Sequence, residues 1–321
     1  MRQPFEGVVS RIDRVPFPWA VAVGLEAGLA VAAVIAALPP VAGLAAAVVV
    51  IALAGTAAWS AQPVGIWEVG EDEEAKPFLD MVAIEGGSFV MGSPEDEPGR
   101  SPDERRHEVT LSPFRMSRTT VTRAQYREVM GLDEAPGPGS DDGPVTEVDW
   151  LEAVGFCNRL SEREDLPPCY RIDGKEVSWI EDAGGYRLPT EAEWEYSARA
   201  GTTTAWSFGG DESALGDFAW YGGNSGNRTH QVATLKPNPW GLFDMHGNVW
   251  EWCWDGYAEY PAEHVTDPRG PASRSAPRVL RGGSAWVEPG VLRSAYRPWF
   301  DPEFRDEAFG FRCVRRPRRQ P

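Results

Sequence analysis

The sequence predicts an α+β domain low in regular structure, preceded by a transmembrane helical hairpin. Three observations predict it. Two apolar runs near the N-terminus are each about 20 residues long, the length that crosses a bilayer core, and Pro39-Pro40 separates them. Three short helices are marked by capping boxes, and "FLDMVAIEGGSFVMGS" reads as a strand, a Gly-Gly turn and a second strand. Elsewhere the chain is rich in Gly (34), Pro (28) and Trp (14), so loops and turns packed around aromatics should carry most of the domain.

The elements follow in order. Residues 1–16 form an N-terminal cytoplasmic segment, 17–59 two spans, 60–78 an acidic linker, 79–316 the folded domain and 317–321 a basic tail. The spans are "FPWAVAVGLEAGLAVAAVIAAL" and "VAGLAAAVVVIALAGTAAW", and the Pro pair makes the turn of a hairpin. Glu26 is the one acid inside, so it should face the partner helix or lie near an end. A single span and a cleaved signal peptide are the alternatives. The signal reading fits poorly, because the apolar region is about three times the length of a signal core. Arg2, Arg11 and Arg14 precede the first span and the stretch after the second is acidic, so the positive-inside rule puts the N-terminus in the cytoplasm. Two spans return the large domain to that side, as in a multi-pass protein of a bacterial-type inner membrane.

Within the domain, Thr122 and Gln125 open one helix, which Gly131 can close. Asp149 and Glu152 open "WLEAVGFCNRLSERE". Thr190 and Glu193 open "EAEWEYSARA", with Gly201 at its C′ position. The 321 residues, 42% hydrophobic and 25% charged, suffice for one large domain or two ordinary ones. A net charge of −17 argues against general nucleic-acid binding, which needs a cationic surface. The tail "RRPRRQP" reads as a solvated end or a membrane-proximal contact. The four cysteines (157, 169, 253, 313) show neither the spacing of a secreted disulfide scaffold nor a CxxC zinc pattern.

Six words occur in order: "IEGGSFVMGS", "PVTEVDWLEAVGFCNRLS", "YRLPTEAEWEYSARAG", "PNPWGLFDMHGNVWEW", "RVLRGGS" and "GFRCVR". In this order and spacing they resemble the formylglycine-generating enzyme, or sulfatase-modifying factor, family over residues 79–316. The resemblance implies a formylglycine-generating-enzyme-like variant of the C-type lectin fold, with a small central antiparallel sheet. It also implies chemistry: oxidation of a sulfatase cysteine to formylglycine with copper and oxygen, the copper held by two cysteines a few residues after "GGS". Here that stretch reads "AWVEPGVLRSAYRP", without Cys, His or Met. Copper(I) is soft and wants thiolates, so copper is not expected and no catalytic residue is assigned. The resemblance further implies that Cys313 would pair with a cysteine where Ala198 stands, so that disulfide is broken. Iron-dependent relatives carry an added domain with a His-rich motif. The four histidines here (107, 230, 246, 264) show no HxxxH or HxH spacing. His246 reads as a turn or packing residue, His107 as a strand-edge surface residue, and Cys157 and Cys253 as small buried hydrophobes.

One metal site survives the comparison. By resemblance, a structural calcium would take the Asp244 and Glu251 side chains and the carbonyls of Gly247 and Val249. Carboxylates and carbonyls suit a hard cation; the alternative is that they cap a turn. A second site would begin at Asn224 and the Ser225 carbonyl, but its acidic partner has no counterpart here.

The segment "AWVEPGVLRSAYRPWFDPEF" holds four large aromatics within fifteen residues and leads toward "GFR". In non-catalytic relatives this region is a surface of variable loops. Arg293, Ser294, Ala295 and Arg297 read as framework. Trp286, Val287, Glu288, Gly290, Val291, Tyr296, Trp299, Phe300, Glu303, Phe304 and Phe309 read as the displayed set, though such aromatics also fill cores. Rigid aromatics supply contact area at low entropic cost. The leading expectation is a membrane-tethered module that binds a protein, peptide or glycan, without copper-cysteine oxidase activity. The alternatives are an enzyme using the same pocket, a structural subunit of a membrane assembly, and a variable protein of a diversity-generating retroelement. Such elements change adenines, commonly in Asn codons ending in a pyrimidine, which cannot give Trp or Glu. Trp286, Trp299, Glu288 and Glu303 therefore point to a fixed surface.

Overall fold

The computed structural model describes residues 77–271, 273 and 276–316. The two expected spans, residues 60–76 of the linker and the basic tail lie outside the described residues. Among the described residues, no helix is long and apolar enough to cross a membrane.

Thr122, Asp149 and Thr190 each accept the N–H three residues on, while Gln125, Glu152 and Glu193 reach back to the cap. They open α1 (Arg123–Met130), α2 (Trp150–Arg163) and α3 (Glu191–Arg199). Gly131 closes α1 in the left-handed region, whereas the chain past α3 turns left-handed one residue before Gly201, at Ala200 (φ 46°). Phe78 already belongs to the fold: its N–H donates to Glu164 and the Arg163 guanidinium lies 4.4 Å over its ring.

The strands flanking Gly86 do not pair with each other. β1 (Met81–Ile84) pairs with β4 (Phe114–Ser117), and β4 pairs with β13 (Val314–Arg315), whose other edge carries β7 (Tyr186–Arg187). β2 (Gly87–Met91) pairs with β3 (His107–Leu111), which runs parallel to β9 (Val265–Thr266). A second four-stranded sheet has the order β11 (Trp299–Phe300), β10 (Arg278–Arg281), β8 (Trp250–Gly256), β12 (Phe309–Gly310), with β12 parallel to β8. β5 (Tyr170–Asp173) and β6 (Glu176–Trp179) form a separate hairpin. Among the described residues the strands thus form four small sheets with two parallel pairings, beyond the small central antiparallel sheet that the resemblance implied. Both parallel pairings join segments far apart in sequence, which the pattern of a single strand does not reveal.

β8 divides the core. Successive side chains point to opposite faces, so Trp250, Trp252 and Trp254 join one apolar cluster and Cys253 joins the other. Burying such a ring contributes about 2 kcal/mol or more. Glu251 is buried beside Arg312, which donates to both its oxygens at 2.6 and 2.7 Å. Glu191 likewise meets Arg281 and Arg297. Burial alone would raise its carboxyl, but Arg297 and Arg281 outweigh that and hold it below the usual range.

Two expectations are corrected. Cys313 does not face Ala198; its sulfur lies 3.8 Å from that of Cys157 on α2, while Ala198 sits in the other core cluster. His107 is not a surface residue. β3 is the middle strand of its sheet, and the His107 ring is buried with Tyr260 4.6 Å away. His246 packs inside: its Nδ1 donates to the Leu292 carbonyl and Nε2 accepts from Ser207 N–H. Burial lowers its pKa to about 4.

Candidate functional site

After β10 the chain turns at Gly282 and Gly283, both with positive φ (97° and 83°). A Cβ on Gly283 would stand 2.4 Å from the Leu292 side chain, so glycine is required there. The Gly282 carbonyl accepts from Gly247 N–H, and Ala285 N–H donates to the Asn248 carbonyl, which ties this turn to the 244–248 loop. Two arginines then fasten the segment. Arg293 donates to Glu97, to both Glu104 oxygens and to the carbonyls of Gly99 and Gly290. Arg297 donates to both Glu191 oxygens and to the Ala258 carbonyl. Arg293, Ser294, Ala295 and Arg297 are all buried, as framework positions should be.

The displayed set divides. Glu288, Gly290, Glu303 and Phe304 are exposed, with Phe304 at 42%. Trp286, Val287, Val291, Tyr296 and Phe300 are half-buried against the larger core cluster. Trp299 is half-buried, pairs with Val279 and packs on Tyr257. Phe309 is a core residue, 4% exposed, because β12 sets its ring between Trp252 (5.5 Å) and Phe300 (4.9 Å).

Trp286 lines a cleft of about 630 Å³ together with Trp220, His230, Gln231 and Glu307. Glu307 also lines an adjoining hollow of about 480 Å³ with Glu147, Arg305 and Asp306. Sequence reasoning missed Trp220, His230 and Glu307 as lining residues. The His230 ring stacks on Trp220 at 3.7 Å, and Asn248 clamps the His230 backbone at both N–H and carbonyl. Its Nε2 donates to the Ser225 carbonyl at 2.8 Å. That bond uses the oxygen expected for the second calcium, and the Asn224 amide accepts from Tyr221 N–H and donates to the Ala219 carbonyl. Separately, Glu303 lines a cavity of about 270 Å³ with Asp301, Pro302 and Lys175.

The donor set for copper is missing. The segment 285–297 holds no Cys, His or Met, and all four cysteines are buried. Burial pushes the thiols of Cys157, Cys169 and Cys253 upward, away from the reactive thiolate. Of the donors expected for the first calcium, Asp244, Glu251 and the Gly247 carbonyl each already accept a hydrogen bond within the chain. Asp244 is 4% exposed, has positive φ and receives the Ala233 N–H; burial raises its carboxyl to about 6. A cation beside it would compensate the buried charge. Glu251 already accepts from Arg312 and from Trp194 Nε1, leaving lone-pair capacity on Oε1. The Gly247 carbonyl accepts from Val249 N–H. Among the described residues, no group of three or more His, Cys, Asp or Glu side chains is placed to hold a metal.

A sequence profile of the sulfatase-modifying factor enzyme 1-like domain matches residues 68–317. The chain belongs to this family. Its curated relatives carry different names. The chaperone protein LppX of Paenibacillus barcinonensis is 32% identical over 269 residues, 74% of this chain and 89% of that protein. The formylglycine-generating enzyme of Mycobacterium tuberculosis is 32% identical over 303 residues, 75% of this chain and 99% of that enzyme. Among solved structures, the Treponema denticola variable protein 1 is 34% identical with a TM-score of 0.68, over 74% of this chain and 95% of that one. The fold is therefore the formylglycine-generating-enzyme-like α+β fold, low in regular structure.

Proposed function

We propose that this member is a binding module, tethered to the membrane by residues 17–59, that recognises a protein, peptide or glycan without oxidising cysteine. One observation carries the reading: the Trp286 cleft is walled by rigid aromatics and polar side chains, while every cysteine of the chain is buried. The Trp220–His230 stack, clamped by Asn248, is ordered before any ligand arrives, which lowers the entropic cost of binding. The relatives named a chaperone and a variable protein support binding. The relatives named as enzymes keep open an oxidase reading, which needs a thiol pair at the cleft. A calcium at Asp244, with a lone pair of Glu251, would brace the loop that supports the segment, and the domain would face the cytoplasm.

The test is photocrosslinking in cells. A photoreactive residue at position 286 should capture a partner, while one at exposed Ile180, outside the cleft, should not. In parallel, copper-loaded protein given a sulfatase-motif cysteine peptide should produce no formylglycine. Formylglycine above background, or equal capture at both positions, overturns the proposal.

A further inference from the structure

Three of the most deeply buried arginines, Arg281, Arg293 and Arg312, each meet a carboxylate. Arg278, only 2% exposed, meets none among the described residues. Its guanidinium lies 3.9 Å over the Trp150 ring and 5.5 Å from that of Trp254. Nη1 donates to the Trp254 carbonyl and Nη2, at a long 3.4 Å, to that of Ser273. Nε has no acceptor, and neither has Nε1 of Trp254. The acid whose charge reaches Arg278 is Asp255, and burial raises that carboxyl to about 8, which weakens it as a counter-charge. A buried cation flanked by orphaned donors is costly unless an anion completes it.

Arg278 borders the cavity of about 270 Å³, which lies just below the usual size range for ligand sites. Trp150, Leu151, Val177 and Pro302 give it apolar walls. Lys175, from the β5–β6 turn, pairs with Glu303 at 2.6 Å and ties two of its walls together. Asp301 and Glu303 on the lining disfavour a multiply charged anion.

We propose that this cavity is a binding site for a single carboxylate carried on a small apolar body, with Arg278 as the counter-charge. The site is separate from the Trp286 cleft and does not depend on what that cleft binds. The apolar walls take the body, and the Arg278 guanidinium, turning its buried Nε toward the cavity, takes the carboxylate. Either a free organic acid or the C-terminus of a peptide carries that chemistry.

The test uses purified full-length protein with acetate, hexanoate and phenylacetate, each against its amide. Two pentapeptides ending in leucine, one with a free carboxylate and one amidated, separate a chain terminus from a free acid. Binding is read by calorimetry and tryptophan fluorescence. The acids should bind on the order of tenfold or more tighter than their amides, since the amide leaves the buried cation unpaired. Val177→Trp, at a half-buried hairpin position, should fill the cavity and abolish binding without changing the melting temperature. Arg278→Gln should erase the preference for acid over amide. If no acid outcompetes its amide, or if Val177→Trp binds like the parent protein, the proposal is wrong.

Discussion

Asp255→Asn should flatten the pH dependence of stability. Asp255 lies on β8, 5% exposed, and accepts the Glu191 N–H at the start of α3. Burial is the main cause that raises its carboxyl from 3.8 to about 8; the neighbouring Glu191 adds to it and Arg297 opposes it. A folded pKa above the unfolded one means that the folded state holds the proton longer. The resulting stability is fully present below about pH 4 and is lost as pH rises through about 8. Between pH 5 and pH 8 the linkage relation gives a loss on the order of 3–4 kcal/mol from this residue. Other groups act in the same window: Asp244 adds to the loss, and His246, whose pKa is lowered, opposes it below about pH 6.5. The difference between parent and variant isolates Asp255. Asparagine can still accept from Glu191 N–H and never ionises. Urea unfolding followed by tryptophan fluorescence at pH 5, 6, 7 and 8 measures both proteins. The parent should lose about 3 kcal/mol more than the variant across that range. Parallel pH profiles would refute the reasoning, because Asp255 would then be ionised in the fold without cost.

The remaining predictions are simpler. Saturating calcium at about 100 times its dissociation constant should stabilise the protein by about 2.7 kcal/mol, several degrees in melting temperature, and Asp244→Ala should remove the shift; a chelator that leaves the parent melting curve unchanged counts against the site. No cysteine should react with a thiol reagent, diamide included, while the domain is folded, because all four are buried; labelling of the native protein read by peptide mass mapping would count against that burial. Trp286→Ala should leave the fold intact and weaken capture of the cleft's partner by about 2 kcal/mol; unfolding instead would assign the ring to the core. A reporter fused after Pro321 should be active in the cytoplasm, and periplasmic activity would indicate a single span or a cleaved signal.

How much of this was legible in the sequence follows from the range of each interaction. The capping boxes at Thr122, Asp149 and Thr190 are contacts over three residues, so they could be read directly, and all three form. The framework role of Arg293 and Arg297 was legible, but their carboxylates were not, because Glu104 and Glu191 lie over a hundred residues away. Phe309 was placed in the displayed set with the other aromatics that follow the turn; only the parallel pairing of β12 with β8 shows that it faces Trp252. Cys157 and Cys313 meet across the fold at a separation of 156 residues, and no spacing rule reaches that far. Most of the cleft was missed for the same reason. Trp286 stood out within its own segment, while Trp220 and His230 come from a loop whose residues were weighed only as cation ligands.

The turn segment shows why this family can change its chemistry and keep its shape. Glycines 282 and 283 set its course, the 244–248 loop braces one end, and Arg293 and Arg297 bind it to glutamates on distant elements. None of these fastenings is a thiol. In the stretch where the resemblance places copper-binding cysteines the chain has none, and Leu292 of that stretch packs under Gly283 as ordinary core. Cysteines at the cleft would therefore be passengers on a frame that holds without them. On the proposed reading, their absence would remove a reaction at little cost in stability, because the frame does not use them. What remains is a rigid segment beside a cleft, with its exposed residues free to vary. A fold of this kind fixes where a ligand is met and leaves the surface residues to decide which ligand it is.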